Sequence, residues 1–161
     1  MTIRTSTKSD IIPIMQCMNV ARQFMRSNGN QTQWINGYPS EELIIESILK
    51  KENFVCESAG EIVGTFCFST LPDPTYAIIT EGAWLNEAQY GVIHRLASNG
   101  KTKGIAEACI QWCFEQINNI KVDTHIDNIP MQRIFEKYEF QKCGIIYLSN
   151  GDARIAFQKT I

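Results

Sequence analysis

The residues best spaced for chemistry form the run Asn99-Gly100-Lys101-Thr102-Lys103-Gly104-Ile105-Ala106. Hydrophobic spacing predicts a strand ahead of it, from Gln89 to Ser98, and a helix from Gly104 to Asn118. A loop that feeds a helix N-terminus presents backbone N–H groups with no intrahelical partner, and the helix dipole adds partial positive charge there. Such a place suits a phosphate. Gly100 and Gly104 let the backbone turn freely and approach a ligand closely, and Lys101 and Lys103 add charge. A P-loop is excluded. Gly100-Lys101-Thr102 matches its end, but Arg95 stands where its first glycine must be. A dinucleotide fingerprint is excluded as well, because no Gly-x-Gly-x-x-Gly occurs. On loop chemistry alone, an anion cradle and an ordinary solvated basic loop both remain open.

Two further segments could bind something. The run Gln31 to Tyr38, with Trp34 and Tyr38, and the segment Tyr76 to Trp84 are rich in aromatics and amides. They form either a pocket or packed loops. Six cysteines, at positions 17, 56, 67, 109, 113 and 143, contain no Cys-x-x-Cys pair, and the two histidines are His94 and His125. Zinc spacing is absent and no metal site is expected. The cysteines read as reduced thiols packed as small hydrophobes.

These segments need a frame to hold them. Ile3 to Ser6 is a short strand, and Ser9 to Ser27 carries apolar residues at helical spacing. Ser40 caps a second helix that ends near Lys51, with Glu41 and Glu42 in its first turn. Asn53-Glu57 and Ile62-Thr70 form a hairpin through Ser58-Ala59-Gly60-Glu61. Pro72-Asp73-Pro74 breaks the pattern, and Tyr76 to Thr80 is either a short helix or a connector. Ile120-Thr124 is a strand, Pro130 to Tyr138 a helix, and Ile145-Leu148 and Arg154-Gln158 are strands joined by the turn Ser149-Asn150-Gly151-Asp152. The order β-α-α-β-β-β-α-β-α-β-β predicts an α/β (α+β) fold. Its central sheet is mixed and mostly antiparallel, with helices on both faces.

The length of 161 residues suits one domain spanning 1–161. A net charge of -2 gives no general pull toward nucleic acid or an acidic membrane, so any anion site must be local. The N-terminus Met1-Thr2-Ile3-Arg4-Thr5-Ser6 lacks the apolar run of a signal peptide, and no stretch reaches membrane-helix length. A cytoplasmic protein is therefore expected, with no nucleic-acid or membrane partner. Its oligomeric state is open, a homodimer included.

The segment Lys101 to Ala106 is similar to the Arg/Gln-x-x-Gly-x-Gly/Ala signature of the GNAT superfamily of acetyltransferases, with Lys101 where the family usually has Arg or Gln. A second block resembles the family's strand, Asn and helix end: Asp123-Thr124-His125-Ile126-Asp127-Asn128, then Met131, then Phe135-Glu136-Lys137-Tyr138-Glu139-Phe140. The element order matches over essentially the whole chain. The resemblance implies an acyl-CoA N-acyltransferase-like fold and acetyl-CoA as cosubstrate. Leu96, Ala97 and Ser98 would meet the pantetheine arm and thioester, and Lys101, Thr102, Lys103, Gly104, Ile105 and Ala106 would cradle the pyrophosphate. Asn128 would contact the pantetheine, and Met131 and Phe135 would line the thiol end.

The implied reaction is direct attack of a primary amine, on a small molecule or a peptide, on the thioester. The amine must lose a proton, so a base helps. Glu81 and His94 are the candidates, His94 because it lies on the strand running into the loop and imidazole suits base work. The oxyanion would meet a strand N–H near Ala97. The acid is harder to find. Phe135 stands where the family often has Tyr and cannot donate a proton, which leaves Tyr138 and Tyr147 as substitutes and keeps a catalytically weak acetyl-CoA-binding module as the alternative. Trp34, Tyr38, Tyr76 and Trp84 would contact the acceptor, and Glu41, Glu42, Glu81 and Glu87 suit a cationic one.

Overall fold

A computed structural model describes residues 1–161. In chain order the elements are β1 (Thr2–Thr5), α1 (Ile11–Ser27), α2 (Glu41–Leu49), β2 (Asn53–Ser58), β3 (Glu61–Ser69), β4 (Gly91–Ser98), α3 (Ile105–Gln116), β5 (Asn119–Thr124), α4 (Ile129–Lys137), β6 (Gln141–Tyr147) and β7 (Ala153–Thr160). One seven-stranded sheet runs β1-β2-β3-β4-β5-β7-β6. Every neighbouring pair is antiparallel except β4 with β5, which is parallel.

Strand alternation sorts the side chains onto two faces. Cys56, Ile93, Ile120, Val122, Ile155 and Phe157 point to one face and form a core with Cys109 and Cys113 of α3 and Phe135 of α4. On the other face Val55 and Ala97 pack against Ile14, Met18 and Ile44 of α1 and α2. Farther along that second face, Val92, Ile146 and Ala156 enclose Tyr76. All six cysteines are buried and free, Cys56 and Cys109 with their sulfurs 3.5 Å apart.

Local rules explain several element ends. Ser40 Oγ accepts from Leu43 N at 3.2 Å and starts α2. A 3₁₀ turn, Lys8–Asp10, precedes α1 where the spacing predicts helix from Ser9. Arg4 holds Asp10 there with two hydrogen bonds of 2.8 and 2.9 Å, and that bond, aided by the Thr7 N–H and against burial, keeps the Asp10 carboxyl below its ordinary range. The ambiguous segment at Tyr76 is a second 3₁₀ turn, Pro74–Tyr76. The strand expected at Ile145 starts earlier, at Gln141. As an edge strand β6 exposes Gln141 and Lys142 and interrupts its register between Lys142 and Gly144, so its first half carries no apolar alternation to read.

Two features position the site. The parallel pairing of β4 and β5 lasts only from Gly91↔Ile120 to Val92↔Lys121, after which the strands diverge. On its other side β4 bulges: Thr65 pairs with Ala97 but Cys67 with His94, and the extra residue is accommodated at Arg95, whose φ is +53°. The bulge and the divergence together open a wedge in the middle of the sheet.

Candidate functional site

The wedge continues into a cavity of about 590 Å³. Its walls include the α1–α2 loop with Trp34 and Tyr38, Asp73, His94 to Leu96 of β4, Asp123 and Thr124 of β5, Asn128, Met131 and Phe135 of α4, and Arg154 of β7. On the α3 side it reaches Ala106 and Ile110.

At the mouth lies the glycine-spaced loop. Asn99 Oδ1 accepts from Lys101 N and Thr102 N at 3.0 and 2.9 Å, and Ser98 Oγ accepts from Gly100 N at 3.2 Å. The N–H groups of Lys101 and Thr102 are thus committed within the loop. The next five, from Lys103 to Glu107, have no acceptor in the protein; the first hydrogen bond of the helix is Ala108 N to Gly104 O. Gly104 is the N-cap at φ +78°, a left-handed conformation that glycine adopts without strain. Across the sheet, Gly64 lets α3 approach closely, because a Cβ there would come 2.5 Å from Ile105 Cγ2. Five consecutive unpaired N–H groups at the positive end of a twelve-residue helix are the chemistry a pyrophosphate needs. The residues present fit that group.

The β4 edge facing the wedge also has groups to offer. Asn99 N donates to Val63 O at 2.9 Å, toward β3. Alternation turns Ala97 N the same way, so the N–H groups facing the wedge are those of Leu96 and Ser98. The donor expected near Ala97 would thus be a neighbour of that residue rather than Ala97 itself.

His94 lies on the Tyr76 face of the sheet, with its ring 6.2 Å from that of Tyr76. Its Nε2 is 2.9 Å from Asp73 Oδ2. With Nε2–H donating to the carboxylate, Nδ1 keeps its lone pair, and it has no partner in the protein. Burial pushes the Asp73 carboxyl up, but hydrogen bonds from His94 and from the Thr75 hydroxyl and N–H outweigh it and hold the group at about 2. On the same face, Tyr76 Oη donates to Asp123 Oδ2 at 2.6 Å, and burial beside that carboxylate pushes the phenol well above its ordinary range.

Several expected residues lie elsewhere. Glu81 is exposed on a turn next to the Thr80↔Ile145 bridge and is absent from the cavity walls. Tyr76 and Trp84 stand behind the wall: Tyr76 is buried, and Trp84 Nε1 donates to Tyr76 O at 2.9 Å. Aromatic packing, rather than exposure to a ligand, accounts for that segment. Trp34 and Tyr38 do line the cavity, 6.2 Å apart in an edge-on pair. Asn128 has prior commitments, since its Oδ1 caps α4 at Met131 N and its Nδ2 donates to Gln33 Oε1 at 3.0 Å. Tyr138 faces α3 and Lys159 in a separate groove, and Tyr147 is exposed, so neither hydroxyl reaches the cavity. No group of His, Cys, Asp or Glu is arranged to hold a metal, and no helix is long and apolar enough to cross a membrane.

Four wall residues carry chemistry that the motif reading missed. Asp73 was legible only as part of a proline-flanked break. Thr124 Oγ1 is buried with no hydrogen-bond partner, on the same face as Val122 and Phe135. Arg95 donates to Tyr38 Oη at 2.9 Å and lies against Cys67 Sγ. Arg154 is buried on β7, near enough to His125 that its charge, after burial, helps hold that imidazole below its ordinary range.

Comparisons with known proteins agree on one family. The model of the acetyltransferase (GNAT) family matches residues 19–140. The fold is similar to a solved GNAT-family acetyltransferase from Streptococcus agalactiae 2603, at 30% identity and TM-score 0.89, over 99% of this chain and 95% of that one. A GNAT-family acetyltransferase from Listeria monocytogenes shares the fold at 20% identity and TM-score 0.73, over 99% of this chain and 94% of that one. So does a ribosomal-protein-alanine N-acetyltransferase from Brucella melitensis, at 13% identity and TM-score 0.65 over the full length of both. No curated protein sequence matches the chain.

Proposed function

The chain belongs to the acetyltransferase (GNAT) family, and we propose that it moves the acetyl group of acetyl-CoA to a primary amine by direct attack. The observation that carries this reading is the run of five unpaired N–H groups from Lys103 to Glu107 at the mouth of the wedge between β4 and β5. The pyrophosphate takes those groups, with Lys101 and Lys103 adding charge from the side chains. The pantetheine then runs down the wedge along Leu96 and Ser98, whose N–H groups are free to meet its amides and the thioester oxygen. Met131 and Phe135 give the thiol end an apolar wall.

The acceptor enters from the other face, beside Trp34 and Tyr38. Its ammonium gives up a proton to Nδ1 of His94, and Asp73 holds the imidazole in the tautomer that can accept it. The amine nitrogen forms a bond to the acetyl carbon as the carbon–sulfur bond breaks. The sulfur leaves as thiolate and takes up, through water, the second proton that the nitrogen loses as the amide forms. Thr124 Oγ–H is the one buried hydroxyl on that wall with a free hydrogen bond to offer the sulfur. A catalytically weak acetyl-CoA-binding module remains the second reading, favoured by Phe135 in place of an acid.

The test is free thiol released from acetyl-CoA with a panel of primary amines. Release above the enzyme-free control supports transfer. Coenzyme A binding without release supports the binding module, and absence of both refutes the cradle.

A further inference from the structure

Arg154 is 5% exposed, yet it takes part in none of the molecule's ion pairs. Its guanidinium has a single acceptor, the carbonyl of the adjacent Ala153 at 3.0 Å. A guanidinium carries five donors, and a charge taken out of water is normally paired. The neighbouring carboxylates do not serve it. Asp123 accepts from Tyr76, Asp152 from Asn150, and Asp73 from His94 and Thr75. The cavity therefore holds a buried cation with no anion of the protein's own; its other arginine, Arg95, is half-buried and engages Tyr38 Oη and Cys67 Sγ.

Alternation places that cation on the acceptor side. Ile155 and Phe157 point into the α3/α4 core, and Ala156 points the other way, against Tyr76. Arg154, two residues from Ala156, shares the Tyr76 face with His94 and Asp123. It stands across the sheet from the α3 loop that suits the pyrophosphate, so the cosubstrate's phosphates do not account for it.

We propose that the acceptor is an amine carrying its own oxyanion group, a carboxylate or a phosphate, which pairs with Arg154 while the amine lies at His94. A zwitterion of this kind suits both groups: the anion meets the guanidinium, and the ammonium meets the unpartnered Nδ1 of His94. This rests on the transfer reading above and names the substrate class for it.

The probes are several α-amino acids, each with its methyl ester and its decarboxylated amine, and aminoalkyl phosphates of similar size. They are measured by thiol release and, without turnover, by calorimetric titration. The expected result is that the wild type prefers at least one oxyanion-bearing amine over its neutral partner by about tenfold or more in kcat/KM and in affinity. Carboxylate and phosphate arms tell the two sources apart. Arg154→Gln brings acid and ester to parity, Arg154→Lys retains part of the preference, and coenzyme A affinity stays unchanged in both, which shows that the variants fold. Equal treatment of acids and esters by the wild type, or equal losses on both in Arg154→Gln, overturns the proposal. Selective binding of an acid without any thiol release leaves the anion site standing and refutes transfer alone.

Discussion

His94 Nε2 and Asp73 Oδ2 lie 2.9 Å apart on the cavity wall, although 21 residues separate them in the chain. One comes from the middle of a strand next to a bulge, the other from a proline-flanked loop behind it. The pairing leaves the far nitrogen of a cavity-lining imidazole without a partner, so a residue that could have been an ordinary sheet histidine acquires a direction.

Removing the proposed base should slow the reaction more than it weakens binding. His94→Ala is expected to lower kcat by about 100-fold with coenzyme A affinity unchanged, the usual worth of a positioned base. Glu81→Ala should keep full rate, because Glu81 lies outside the cavity. Steady-state kinetics on both variants decides the assignment, and equal losses in the two would return Glu81 to the site.

The cradle depends on a left-handed residue with free space beside it. A Cβ at Gly104 meets nothing within 4 Å, so the folded protein tolerates a side chain apart from the strain of φ +78°. Gly104→Asn should bind coenzyme A nearly as wild type, since Asn accepts that conformation at small cost. Gly104→Glu should weaken binding by about tenfold or more, as a carboxylate faces the pyrophosphate. Titration calorimetry measures both, and unchanged affinity in Gly104→Glu contradicts the cradle.

The loop from Asn99 to Ala106 was legible as a strand–helix junction, but its glycines and lysines alone suit a solvated loop as well as a cradle, and only the family resemblance favoured the cradle. The element order was legible because short apolar runs bounded by turn residues are interleaved with stretches of helical spacing. The His94–Asp73 pair was half legible: His94 sits on a predicted strand, whereas Asp73 reads only as a turn residue between prolines. Arg154 was invisible as a site residue. Its place depends on β7 pairing with β5, Ile155 opposite Thr124, a contact between distant segments with no local signature. Tyr76 and Trp84 misled for the opposite reason, since aromatics that pack on each other look the same in sequence as aromatics that wait for a ligand.

Thr124 offers a test in which stability and rate move in opposite directions. Its buried hydroxyl has no partner, and an unsatisfied buried hydroxyl costs about 1–3 kcal/mol. Thr124→Val should therefore stabilise the free protein, by about 1 kcal/mol in urea unfolding. If the hydroxyl supports the leaving sulfur, the same variant loses rate. A stabilised variant with full kcat would confine Thr124 to a structural role.

Asp73 gives the fold an acid-sensitive contribution. Its carboxyl is held at about 2, below the ordinary 3.8, by His94 and Thr75 against the push of burial. A depressed folded-state value stabilises above the unfolded value and loses that stabilisation as pH falls through the folded one. The wild type should thus exceed Asp73→Asn in stability by a constant margin above about pH 5, and the margin should close between about pH 4 and pH 2. Urea unfolding across that range checks it; a margin independent of pH would mean that the carboxylate charge is not what the hydrogen bonds hold.

In the proposed reaction this cavity joins acetyl-CoA to an amine through His94. Thiol release from acetyl-CoA measures it most directly, with oxyanion-bearing and neutral amines as acceptors and with wild type and His94→Ala side by side. Amine-dependent release is expected from the wild type, with a fall of about 100-fold in the variant at unchanged coenzyme A affinity. Release that does not depend on an added amine, or that survives in His94→Ala, would contradict it.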